Sequence, residues 1–260
     1  MLYIQFLIME YFNFCHILIN FLVSRIPNSG FLDVGQICQM EQLMSIMVFL
    51  SYAVVYAKNF STISFCLIRV YLLFAETWKK ESFFVLIFLI LIFSISFAFI
   101  LALPRYMTGA SCVATNPPFP ADSVMITSNQ PEISMTLSNM IDVTFYPSVI
   151  ITIVCLNILI MRKLWRKRNQ SNMLRRKYDR KAEKSLTITM ILILLPVVIN
   201  SSISVIESFG SFSIVLYIIR PWLIDARAHI IVCWFYYTHP IFCKKKQCSR
   251  VTVRRTKDTK

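Results

Sequence analysis

The sequence predicts an all-α integral membrane protein, a bundle of transmembrane helices with six spans. Three observations carry that prediction. Of 260 residues, 57% are hydrophobic and only 15% are charged, where a soluble domain carries roughly 25% charged residues. The apolar residues gather into runs of membrane-crossing length, about 20 residues each. The net charge of +14 is concentrated, with 19 of the 27 Lys and Arg in residues 162–184 and in the tail from Lys244. Such clustering marks membrane topology rather than a general affinity for acidic partners.

The spans follow in order. Residues 2–23 are apolar from the outset; they lack a basic leader and a small-residue cleavage site and carry Glu10, so they predict a retained helix rather than a signal peptide. Residues 43–70 form a longer span interrupted by Lys58, and 83–103 form an uncharged one. Residues 141–161 and 185–206 follow. The last span, 212–238, carries Arg220, Asp225 and Arg227.

Basic residues separate the loops into two kinds. The segments 24–41 and 105–140 hold one each, Arg25 and Arg105, whereas 162–184 holds eleven and the tail 244–260 holds eight. Lys79 and Lys80 lie in the short connection 71–82. Basic-rich and basic-poor loops alternate, so the positive-inside rule puts both termini and the 162–184 loop in the cytoplasm and makes 105–140 an outer loop. Of eight cysteines only Cys38 and Cys112 then fall outside, where disulfides persist. They are predicted to be bridged, two free thiols being the alternative. Cys243 and Cys248 flank Lys244–Lys246 at the inner end of the last span, a setting that suits S-palmitoylation.

Ionisable residues inside a membrane each cost roughly 2.5–3.5 kcal/mol on insertion scales, so they are expected to face the bundle interior. Lys58, Ser61, Thr62, Phe65 and Arg69 share one helical face, as do Glu10, Asn13, Ile17 and Asn20. Asp225 and His229 stand four apart in the last span. The stripes predict a polar interior built on Lys58, Asp225, Glu10 and His229, with Lys58 and Asp225 as an ion pair. Helix-to-helix hydrogen bonding without further purpose is the simpler alternative.

Several function classes lack support. No GxSxG, HExxH or P-loop is present, so no enzyme is predicted. No cysteine pair or His spacing forms a metal site, and no cofactor is implied. All four glycines lie outside the spans, which leaves a transporter or channel unsupported. The basic run lies between two spans, so it predicts no nucleic-acid contact; with Trp165 and Tyr178 it suits anionic lipids at the inner leaflet.

Short motifs then point to a family. They are "NFLVSRIPNSGFL" (20–32), "FCLIRVYLLF" (65–74), "ETWKK" (76–80), "LPRYM" (103–107), "RPWLID" (220–225) and "YYTHPIFCKKK" (236–246). Together they resemble nematode serpentine chemoreceptors, class V or class gamma, which are seven-transmembrane G-protein-coupled receptors. The resemblance implies a rhodopsin-like bundle in which the six spans correspond to helices two to seven, the chain starting without the family's first helix. It implies a small-molecule ligand, a heterotrimeric G protein as partner, and the plasma membrane as location. By this resemblance Arg69 matches the arginine at the inner end of helix three, with Ile68 and Val70 beside it in place of the usual partner. Pro196 matches the helix-six proline, and Pro240 the helix-seven proline, preceded by His239 instead of Asn. Cys38 and Cys112 match the outer disulfide, and Arg166, Lys167 and Arg168 fall in the loop that meets the G protein. A truncated, non-signalling relative, decayed or acting as a dimer partner, is the alternative.

Overall fold

The structure is a computed structural model. It describes residues 2–29, 38–74, 80–114, 120, 123–129 and 132–170, together with 188, 191, 192, 194–199, 202, 203, 222, 223, 225, 226, 229, 230, 232 and 233. Among these, four helices are long and apolar enough to cross a membrane: Ile4–Asn28, Glu41–Phe74, Val85–Met107 and Leu137–Lys163. The predicted spans at 185–206 and 212–238 lie largely outside the described residues.

Helix α1 spans Leu2–Asn20 and continues through one π-helical stretch, Phe21–Arg25, into α2, Ile26–Asn28. Its Gln5, Phe6, Met9, Asn13 and His16 are buried, a three-and-four spacing that forms one face. Tyr11, Phe14 and Leu18 on the opposite side are exposed, as a lipid-facing surface requires.

Helix α3, Glu41–Phe74, packs against α1, against α4 (Lys80–Met107) and against α5 (Glu132–Gln170), so it forms the axis of the bundle. At about 1.5 Å per residue its 34 residues reach about 50 Å, well beyond the hydrocarbon thickness of about 30 Å. The core joins Tyr56, Cys66, Ala98, Ala102, Phe145, Val149 and Ile153. Two hydroxyls of α3 bond carbonyls one turn back, Thr62 to Lys58 at 2.9 Å and Ser64 to Phe60 at 2.8 Å, which meets their demand inside an apolar helix.

Helix ends depart from the predicted ones. Helix α5 begins at Glu132, inside the segment assigned to the outer loop, and runs to Gln170, nine residues into the basic segment 162–184. Arg105, assigned to that loop, lies in the last turn of α4. The cause is common to all three: hydropathy detects only the part of a helix within hydrocarbon, while the backbone ladder continues into headgroups and water.

The outer segment is not structureless. Strands β1 (Ala110–Ala114) and β2 (Val124–Ser128) pair antiparallel, with Cys112 opposite Ile126. Gly109, at φ 74°, turns the chain from α4 into β1. A side chain rarely adopts that left-handed conformation, and the Gly109 N–H donates to the Tyr106 carbonyl at 3.2 Å. Alternate strand residues face one way, so Ala110 and Cys112 point together toward the helices. Ala110 and Ile126 are buried against Met44 and Val48. The hairpin therefore caps the bundle end where α2 stops and α3 begins.

Candidate functional site

Cys38 and Cys112 form a disulfide, with their Cα atoms 5.8 Å apart. It ties the chain just before α3 to the first strand of the hairpin. The cysteines assigned to the membrane and described, Cys15, Cys66, Cys155 and Cys233, are free.

Directly below the hairpin lies a buried polar network joining three helices. Arg105 Nη2 of α4 donates to Asp142 Oδ2 of α5 at 2.9 Å. The Tyr56 hydroxyl of α3 donates to the other carboxylate oxygen at 2.6 Å. The Arg105 guanidinium also lies 4.5 Å from the Tyr52 ring centre. Phe145 closes one side, edge-on to Tyr56 with ring centres 4.8 Å apart. Arg105 and Asp142 are both buried. A buried ion pair persists when its remaining lone pairs and protons are largely met; here Asp142 receives two donors, and Arg105 Nε alone of the pair's buried atoms has no hydrogen-bond partner among the described residues.

Depth follows from helix geometry. At the end remote from the hairpin, Lys163 Nζ of α5 sits 4.8 Å from the ring centre of Phe74 in α3. Asp142 lies twenty residues up α5 from Arg162, about 30 Å at helical rise. Tyr56 lies eighteen residues up α3 from Phe74, about 27 Å. The two estimates agree and place the network near one boundary of a hydrocarbon layer about 30 Å thick.

A second polar cluster lies between α1 and α3. Lys58 Nζ is 2.9 Å from His16 Nδ1, with both residues buried. Asn13 donates to Glu10 Oε1 at 3.3 Å one turn earlier. Ser61, Thr62, Phe65 and Arg69 continue this face of α3, all buried, and the Arg69 guanidinium lies 4.5 Å from the Phe65 ring centre. Gln5 Oε1 and Ser61 Oγ are buried without a hydrogen-bond partner among the described residues.

Lys58 and Asp225, expected as a pair, do not meet. Asp225 Oδ2 instead accepts from Arg25 Nη2 at 2.7 Å. Arg25 is nine residues beyond His16 on the same helical rod, about 13 Å along its axis. An Asp225 held at Arg25 is therefore at the wrong height for a Lys58 held at His16. His229, expected in the polar interior, is exposed. Exchanging the charges, Arg25→Asp with Asp225→Arg, is expected to restore what either single change loses, with a coupling of about 1 kcal/mol for this partly exposed pair. A thermal-unfolding double-mutant cycle measures it.

The other expected site residues fall as follows. Pro196 lies in the described helical stretch 194–199 and is half-buried; Arg166 is exposed near the end of α5, with Lys167 and Arg168 following in the same helix. Pro240, Cys243 and Cys248 lie outside the described residues. Sequence reasoning missed His16, Tyr52, Tyr56, Arg105 and Asp142. A signal existed for Asp142: it is the one acid in the apolar run 141–161, so a cationic partner was required of it.

No curated protein matches the chain. The family model for the serpentine type 7TM GPCR chemoreceptor Sru matches residues 1–245. The serpentine chemoreceptor resemblance is thereby borne out, and the class is corrected from class V or gamma to Sru, the short motifs being too brief to separate related classes. With apolar helices of spanning length, a cysteine-tied hairpin at one end and a match over nearly the whole chain, this multi-pass membrane protein belongs to the Sru family of serpentine type seven-transmembrane G-protein-coupled chemoreceptors.

Proposed function

We propose that the chain is a chemosensory receptor of the plasma membrane that detects an extracellular small molecule and signals through a heterotrimeric G protein. The match to a chemoreceptor family over residues 1–245 carries this reading. The hairpin end then faces outside, and both termini and the basic segment 162–184 face the cytoplasm, in line with the distribution of Lys and Arg. The ligand meets the polar face of α1 and α3, where Lys58, His16, Glu10 and Asn13 cluster and where Gln5 Oε1 and Ser61 Oγ await partners. Binding shifts the population between two arrangements of the bundle by its differential affinity for them. Arg69, Pro196 and Pro240 serve the switch, and Lys167 and Arg168 meet the G protein.

The test is nucleotide exchange on a panel of G proteins by the full chain in lipid nanodiscs, screened against a small-molecule library. Ligand-dependent exchange is expected; none, from chain proven to be folded and inserted, would sink the proposal. For any agonist so found, Lys58→Met is expected to raise the half-maximal concentration about tenfold or more, since a hydrogen bond to a charged group contributes about 1.5–3 kcal/mol. Unaltered potency would remove Lys58 from the ligand site.

A further inference from the structure

We propose that Arg162, Trp165 and Arg166 form a binding site for the phosphate headgroup of an anionic phospholipid, in the leaflet opposite the hairpin. The observation is a pair of stripes on α5. Val149, Ile153, Leu156 and Ile160 are buried, at spacings of four and three, and Lys163 continues this row to reach the Phe74 ring of α3. That row faces the bundle. A second row at the same spacing, Ile151, Cys155, Ile158, Arg162 and Trp165, is exposed along its length, with Arg166 beside its last member. This second row faces lipid.

The lipid-facing row changes character at one point. It is apolar through Ile158, then turns to arginine and tryptophan. Arg162 lies at the end of the spanning stretch Leu137–Lys163, so the change coincides with one boundary of the bilayer. Trp165 is 60% exposed, and an indole on lipid-facing surface at that depth sits at the headgroup level. Arg162 and Arg166 are one turn apart on one face. Their planar forks suit a shared phosphate, and no described side chain engages either guanidinium. An acidic protein surface would meet basic groups beyond the helix end; these two stand on the side that lipid covers, which favours the phospholipid.

The experiment titrates short-chain phosphatidylserine into the full chain in neutral detergent micelles and reads binding by native mass spectrometry. Saturable binding is expected, with phosphatidylcholine at least fivefold weaker. Arg162→Gln and Arg166→Gln are each expected to weaken phosphatidylserine about fivefold, the effect of one basic residue at an anionic surface. Arg162→Lys with Arg166→Lys, which keeps the charge, is expected to lose less than either, so a folding defect is separable. Removing equal charge elsewhere in the basic run, by Arg175→Gln with Arg176→Gln, is expected to leave affinity within twofold. Four results would overturn the site: equal loss from that control pair, equal affinity for phosphatidylcholine, equally tight binding of the tail-free headgroup glycerophosphoserine, or unchanged lipid affinity in an Arg162→Gln/Arg166→Gln chain that loses G-protein nucleotide exchange. The last would reassign the arginines to the protein partner.

Discussion

Replacing Asp142 by Ala is expected to destabilise the bundle by about 3–5 kcal/mol, the largest effect of any single side chain among those described. The magnitude comes from what remains. Arg105 is buried at 4% exposure, and without Asp142 its guanidinium keeps only the Tyr52 ring, while the Tyr56 hydroxyl loses its acceptor. The measurement is the thermal midpoint of the purified chain in nanodiscs, beside surface expression in cells. Removing both charges together, Arg105→Met with Asp142→Leu, is expected to recover most of the loss, because a buried pair replaced by apolar residues of similar volume is often neutral or stabilising. Tyr56→Phe should lose only about 1 kcal/mol, one net hydrogen bond. A double variant no more stable than Asp142→Ala would show that the pair is not the reason Arg105 can be buried.

Cys112→Ser is expected to lower stability by about 2–4 kcal/mol. The bond closes a separation of 74 residues and holds the hairpin against the start of α3, where Ala110 and Ile126 cover Met44 and Val48. The check is the thermal midpoint with and without reductant. The wild-type midpoint should fall on reduction to that of the variant, and the variant should not respond. Cys38→Ser with Cys112→Ser should be no worse than either alone, since both singles break the same bond. A wild-type midpoint indifferent to reductant would mean the hairpin is held by packing alone.

Which parts were legible in the sequence depends on the physics each one rests on. The four described spans were readable because lipid demands about 20 apolar residues in succession, a one-dimensional property. The buried face of α3 through Lys58, Ser61, Thr62, Phe65 and Arg69 was readable because helical periodicity is local. The first turns of α5 were not, because Glu132 to Met140 mix polar and apolar residues and show no apolar run. Arg105 looked like a loop residue because it follows Pro104, but the helix continues through that proline to Met107.

The sequence by itself determined the membrane class, the lengths of the apolar runs and the faces that each helix had to bury. Tertiary structure alone decided the partners: His16 with Lys58, Arg25 with Asp225, and Arg105 with Asp142 and Tyr56. Helical periodicity sets which residues share a side, but says nothing of which helix faces that side or at what height. A residue displaced by two turns shifts by about 11 Å along the axis, beyond the reach of any ion pair. Height and neighbour are settled only when the helices pack around α3, and there the charges found their counterparts.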